Sequence, residues 1–413
     1  MPTTNLTRRD WFKTATLMGA CTALPLRALG KAKLDWVDQP TQQLKGLRVT
    51  CSEPVLVKRS KWFCWFPSLI RQLDGTLWAS MSAYADVAAS NSVDYLSRSR
   101  DGGLTWDEPR IIADAGEIYL LLSDGRAVII PYYLRPKSAD TIGAPCNVIM
   151  PDGQLTMIGS GVTVGGWPKP PAVDADLGIA QFSFNGQVER GRKGEFLTTL
   201  YGKFVNDKRY SLIFAESADG FAWHIRSIVA GPEYGLESEE GPCESAVSRL
   251  RDGRLMCIFR VASYVNYGQT FSEDDGQTWT KAEAILAKSV QPSLAVMPDG
   301  VIALSGGRPG IFVWFNSSAG LGEWQSIDIQ AQHNAAHPND SINLIPAAMR
   351  HAKSAELIKQ GLSGFTSSYS ELIRLDERHL LMIYDRAGLG WNTIPDESPE
   401  TNSVWVMRLT VES

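Results

Sequence analysis

Tyr369, Glu244, Asp86, Arg260 and Arg308 are far apart in the chain, yet each stands at the edge of a β-rich unit. Gly241-Pro242-Cys243-Glu244-Ser245 opens a unit that ends in Phe259-Arg260, and Ser368-Tyr369-Ser370-Glu371-Leu372 opens one that ends in Tyr384-Asp385-Arg386. Asp86 precedes Tyr95-Leu96-Ser97-Arg98-Ser99, and Gly306-Gly307-Arg308 precedes a Trp/Phe-rich strand. A phenol, carboxyls and guanidinium groups drawn together are the parts of nucleophilic and acid–base chemistry and of anion binding. Each residue also has a plain structural reading. Tyr369 could be a strand tyrosine, Glu244 a turn cap, Asp86 a solvated loop acid, Arg260 one half of a surface salt bridge, and Arg308 a turn residue after two glycines. Metal chemistry has no motif here. The five histidines show no HExxH spacing, and Cys51, Cys64, Cys146, Cys243 and Cys257 form no CxxC pair. His333 and His337 are four apart, but Pro338 and the polar run around them suggest a loop. The cysteines read as buried thiols, with room for one disulfide. No metal or organic cofactor is implied.

A repeated phrase supplies the frame that would gather these residues. Ser99-Arg100-Asp101-Gly102-Gly103-Leu104-Thr105-Trp106 returns as Ser272-Glu273-Asp274-Asp275-Gly276-Gln277-Thr278-Trp279. A shorter copy runs from Ser217 to Trp223, and a decayed one from Ser317 to Trp324. Each copy predicts a tight turn: Asp accepts backbone N–H bonds, Gly takes a left-handed angle, and Trp packs beneath. Successive Trp residues lie 56 and 45 apart from Trp223 onward, a period that suits a four-stranded propeller blade. Asp-Gly turns at 74–75, 124–125, 152–153, 252–253 and 299–300 sit between β-rich runs. The expected fold is all-β, a six-bladed β-propeller whose inner strand ends surround a central funnel. Long amphipathic helices are nearly absent. Pro346 to Leu362 is the best candidate for a short one, within a long insertion of about Gln330 to Ser368.

Residues 1–34 read as an address and not as fold. Thr7-Arg8-Arg9-Asp10-Trp11-Phe12-Lys13, an apolar stretch from Ala15 to Leu26 and small residues near Ala28 to Ala32 make a twin-arginine signal. The mature domain, 35–413, is then expected to be periplasmic or extracellular. Met18-Gly19-Ala20-Cys21 faintly resembles a lipoprotein site that lacks its usual Leu. The apolar stretch is too short to span a bilayer. A net charge of −5 speaks against nucleic acid or an anionic membrane as main partner. The 413 residues, 44% hydrophobic with 13 Trp, suffice for a large core.

In these turn phrases and in the order of the other pieces, the chain resembles the sialidase (neuraminidase) superfamily with Asp-box repeats. The likeness covers most of the mature chain. It implies an exo-glycoside hydrolase that retains configuration and acts on a terminal sugar, acidic or otherwise, of a glycan or oligosaccharide. It also implies the roles. Tyr369 looks like the family nucleophile, Glu244 like its partner base, and Asp86 like the acid/base. Arg260 and Arg308 are similar to the second and third substrate-holding arginines. A neutral phenol activated by Glu suits an anomeric carbon that bears a carboxylate, and guanidinium forks match that carboxylate. The first arginine is missing. Cys64-Trp65-Phe66-Pro67 stands where the family has Phe-Arg-Ile-Pro, so Trp65 occupies its place. Either Arg386 supplies the charge, or Trp65 is a stacking platform for a different sugar, or the site is dead. A non-catalytic carbohydrate-binding propeller is the rival. A polysaccharide lyase using His333 or His337 is a further alternative.

Overall fold

Each copy of the repeated phrase is a turn closed by its own side chains. Asp101 accepts from the Thr105 amide at 2.9 Å and from its hydroxyl at 2.6 Å. Ser99 Oγ accepts from Gly103 N at 2.9 Å, and Trp106 Nε1 donates to Gly103 O at 3.0 Å. Asp219 and Asp274 repeat the pattern in their copies. These donors hold the carboxyls low; the Thr278 hydroxyl and amide bring Asp274 to about 2. The decayed copy starts one residue earlier than its sequence suggests. Asn316 takes the Ser place, accepting from Ser318 N and Gly320 N and donating to Leu321 O and Glu323 O. Trp223 and Trp324 are buried, and Trp106 and Trp279 pack half-buried against neighbouring core clusters.

The computed structural model describes residues 35–86, 93–113, 116, 118–231, 236, 238–352, 354–388 and 401–413. The expected signal at 1–34, Cys21 included, lies outside them. Trp36–Ser413 form one compact unit dominated by strands. Antiparallel up-and-down sheets follow one another along the chain. The first holds Trp65–Arg71, Leu77–Ser82, Val93–Ser99 and Arg110–Ala113. A ten-stranded sheet follows, in which two antiparallel halves are joined by a short parallel pairing of Leu155–Gly165 with Ala222–Ala230. Two four-stranded sheets come next, from Ser245–Arg249 to Glu283–Lys288 and from Ser293–Val296 to Gln325–Asp328. The last sheet holds Ser370–Arg374, His379–Arg386 and Asn402–Glu412. Leu47–Cys51 and Val55–Ser60, from the start of the domain, both pair with Asn402–Glu412 and tie the two ends of the chain together.

Second strands such as Leu255–Phe259 and Ile302–Gly307 are buried at every position, because sheets cover both their faces. That is why they read as unbroken apolar runs. The first strands lie side by side: Ser245–Arg249 by Ser293–Val296, then Ser370–Arg374, then Trp65–Arg71, then Ile118–Leu121. Side chains stitch them together. Ser293 Oγ accepts from Leu372 N, Glu371 from Leu69 N, and Asn185 Oδ1 from Ser245 N. Residues that precede these strands therefore meet at one end of the bundle.

The insertion differs from its expected form. Its main helix is Ile329–Ala336, capped by Asp328, which accepts from Ala331 N at 2.8 Å. The expected helix at 346–362 is reduced to a 3₁₀ turn, Ala347–Met349, and a short helix, Ser354–Lys359. No helix among the described residues is long and apolar enough to cross a membrane. All five described cysteines are free and buried.

Candidate active site

Glu244 and Arg260 face each other across one hairpin. The strands Ser245–Arg249 and Leu255–Phe259 pair Ser245 with Phe259, so the next residues outward, Glu244 and Arg260, are cross-strand neighbours. Arg260 N donates to Glu244 O at 2.8 Å, and Arg260 Nη1 to Glu244 Oε1 at 2.9 Å. Tyr369, entering the last sheet, donates its hydroxyl to the same Oε1. Gln291 N donates to Oε2 at 2.9 Å. Burial pushes the Glu244 carboxyl up, but Arg260, the Tyr369 hydroxyl and the Gln291 amide outweigh it and hold it below its ordinary value. Burial and the Glu244 charge together push the Tyr369 phenol well up, against Arg260 and Arg308. The resting pair is thus a carboxylate and a neutral phenol.

Both arginines are tied into the protein. Arg260 also reaches Glu240 at 3.0 Å, Ser263 Oγ at 3.1 Å and the Tyr369 hydroxyl at 3.3 Å. Arg308 Nη1 donates to that same Ser263 Oγ at 3.1 Å and its Nη2 to Ser367 O at 2.7 Å. Its guanidinium stands 5.7 Å from the Tyr369 ring.

The segments that carry Tyr369 are pinned from below by Asp385, which is fully buried. Asp385 accepts from Thr366 Oγ1, Ser367 N, Ser367 Oγ and Phe66 N. Burial is the largest influence on its carboxyl and leaves it raised, despite these donors. Phe66, Tyr264, Arg308 and Ser368 have φ of 45°, 67°, 77° and 68°. Non-glycine residues avoid that region; Phe66 lines the cleft, and Tyr264, Arg308 and Ser368 line a second pocket.

Tyr369 and Glu244 open onto a cleft of about 140 Å³. Asp86 lies on its wall, with its side chain reaching solvent. Loss of hydration raises its carboxyl, and Glu244 adds to the rise while Arg308 and Arg260 oppose it. The structure therefore brings Tyr369, Glu244, Asp86, Arg260 and Arg308 together.

Trp65 and Arg386 stand apart from the cleft. Trp65 has no exposed surface; its Nε1 donates to Tyr84 O at 3.0 Å and its ring lies between Phe63 and Phe66. It cannot be a stacking platform. A bulge between Trp65 and Ser68 turns the next residue outward, so Phe66 lines the cleft, its ring 4.6 Å from that of Tyr369. Arg386 donates to Ser341 O at 3.0 Å and Thr401 O at 2.7 Å, bracing the insertion, and does not replace the missing arginine. His333 and His337 do not serve a lyase. His333 lies on the helix Ile329–Ala336, fully buried, bonded to the Tyr384 hydroxyl and Asp340 O. His337 packs on Trp405 and reaches Pro54 O. No histidine is among the described residues that line the cleft.

Sequence reasoning missed Phe66, Asp94, Asn185 and Gln291, which also line the cleft. Gln291 precedes the first strand Ser293–Val296, the same position that marked Glu244, whereas Asn185 directly follows the short strand Phe182–Phe184. Asp94 carried no such signal, because its strand Val93–Ser99 also holds Ser97, Arg98 and Ser99.

Residues 95–308 match the BNR repeat-like domain. The chain belongs to the BNR repeat-like family. No curated sequence relative matches it. This BNR-repeat chain is similar in fold to a protein of unknown function from Dyadobacter fermentans, with TM-score 0.62 and 17% identity over 88% of this chain and 99% of that one. It is similar to the Hadza microbial sialidase Hz136, with TM-score 0.54 and 15% identity over 83% of this chain and 65% of that one. It is also similar to an α-L-arabinanase of Penicillium chrysogenum solved with arabinobiose, with TM-score 0.56 and 15% identity over 87% and 98%. The scaffold is therefore sialidase-like and of the propeller type that these glycosidases use.

Proposed function

We propose that the chain is a retaining exo-glycoside hydrolase that releases a terminal sugar from a glycan. One observation carries this reading: the Tyr369 hydroxyl donates to a Glu244 carboxylate held ionised by Arg260. Tyr369 Oη attacks the anomeric carbon while Glu244 takes the phenolic proton. The bond from that carbon to the leaving oxygen breaks, and Asp86 gives its proton to that oxygen. The product is a glycosyl–tyrosine ether and an Asp86 carboxylate. Asp86 then takes a proton from water, whose oxygen attacks the anomeric carbon from the vacated side. The Tyr369 oxygen leaves and regains its proton from Glu244. Two displacements at one carbon retain its configuration. Arg260 and Arg308 act by holding this pair and its charge.

Counting the two halves of the ten-stranded sheet separately gives six units, and we read the fold as a six-bladed propeller. The Thr7–Lys13 segment supports export by the twin-arginine route, with 35–413 as the mature domain acting in the periplasm or outside the cell. Fractionation of cells carrying the chain or an Arg8→Lys, Arg9→Lys form tests that part.

Hydrolysis of aryl glycosides by wild type and by Tyr369→Phe tests the function. Loss of release by at least a thousandfold in Tyr369→Phe supports it. Undiminished release removes Tyr369 from the chemistry. Sugar binding by a wild-type chain that releases nothing favours the binding-propeller reading.

A further inference from the structure

We infer that the cleft takes an uncharged sugar and that Asp94 is the acceptor for its hydroxyls. This rests on the hydrolase reading above and adds the substrate class and a binding residue.

The walls of the cleft carry three carboxyls, Asp86, Asp94 and Glu244, set among Phe66, Tyr132 and Tyr369. No Lys or Arg side chain is among the described residues that line it. The two arginines nearest the nucleophile are already engaged. Arg260 spends both terminal nitrogens on Glu240, Glu244, Ser263 and Tyr369, and Arg308 gives one to Ser263 and the other to Ser367 O. A sugar carboxylate would meet the Glu244 charge, with no Lys or Arg among the described residues of the cleft wall to offset it.

Asp94 is the second residue of the strand Val93–Ser99, opposite Ser82, and both residues line the cleft. Its carboxyl has no hydrogen bond or ion pair among the described residues, whereas Asp385 and Glu371 each hold protein donors. Burial alone pushes it up to about 7. Asp94 is half-buried, and a carboxyl there that no protein donor meets is open to a ligand that supplies one. Sugar hydroxyls do so, and a hydroxyl bonded to a carboxylate is the stronger kind of hydrogen bond. Phe66 offers the ring's apolar face a surface. Carboxyls that accept and aromatics that stack are the recognition chemistry of a neutral polyol.

Wild-type and Tyr369→Phe full chains applied to an array of neutral, sialylated and uronate-terminated oligosaccharides test this. Neutral glycans are expected to be retained, and sialylated and uronate ones bound at least tenfold more weakly. Asp94→Asn is expected to lower neutral binding at least tenfold, and Asp94→Glu to restore part of it, with unchanged thermal midpoints. Preferred binding of the acidic glycans overturns the inference, as does Asp94→Asn binding at the wild-type level, or no binding of any class. If Asp94→Asn fails to fold, the neutral-against-acidic comparison on wild type still decides the substrate class. Neutral glycans bound by wild type but left uncleaved sink the hydrolase reading while the inference stands.

Discussion

Glu244 receives three donors on two oxygens, and its neighbours set its protonation. In the proposed cycle Glu244 must begin ionised and Asp86 protonated. The Glu244 carboxyl is held below its ordinary 4.5 and that of Asp86 above its ordinary 3.8. The profile of kcat/KM against pH should therefore be a bell, with its acid limb set by Glu244 below 4.5 and its alkaline limb set by Asp86 above 3.8. Asp86→Asn should remove the alkaline limb and spare substrates with good leaving groups. Arg260→Met should leave a buried carboxylate without its partner. A loss of about 3–5 kcal/mol in urea unfolding is expected, with activity falling because Glu244 now keeps its proton. Unchanged stability would mean that the pair does not govern this corner of the protein.

At the scale of elements, Trp65 and Asp385 hold the pieces that carry the chemistry. Trp65 is core, so Trp65→Ala should cost about 3–5 kcal/mol in chemical unfolding, a loss too large for a surface platform. Asp385→Ala strips the acceptor from the Phe66 and Ser367 amides and two hydroxyls. It should lower kcat more than it raises KM, because the segment bearing Tyr369 loses its seat. Asp274→Ala, in a turn remote from the cleft, should cost about 1 kcal/mol and leave kcat unchanged. The turns were legible because their bonds are local: Asp, Gly and Thr within five residues fix the loop by themselves. The bulge at Phe66 was not, since it breaks the alternation that tells inside from outside. The helix Ile329–Ala336 was hidden because its sequence is polar, and only its Asp328 cap marked the start.

Across the whole molecule, closure of the sheets brings the site together. Tyr369 and Glu244 are 125 residues apart and meet because first strands lie side by side. Their meeting was readable from position in the repeat. Which arginine faces sugar was not, since that depends on what else claims its nitrogens. Glu371 sits at the seam between the last and first sheets, accepting from Leu69 N. Burial raises its carboxyl to about 8 from an ordinary 4.5. The folded state then binds a proton that the unfolded chain has lost, so this residue's contribution to stability falls as pH rises from 4.5 to 8. Glu371→Gln should flatten that slope in unfolding measured across the range, and an unchanged slope would remove Glu371 as its source.

The central claim is that Tyr369 forms the bond to sugar, and peptide mass spectrometry after treatment with an activated fluorosugar, matched to the preferred glycoside, tests it most directly. The account predicts one glycosyl adduct on the Tyr369 peptide, absent from Tyr369→Phe, and release of product with retained configuration. An adduct on Glu244 or Asp86, or first-formed product of inverted configuration, would contradict it.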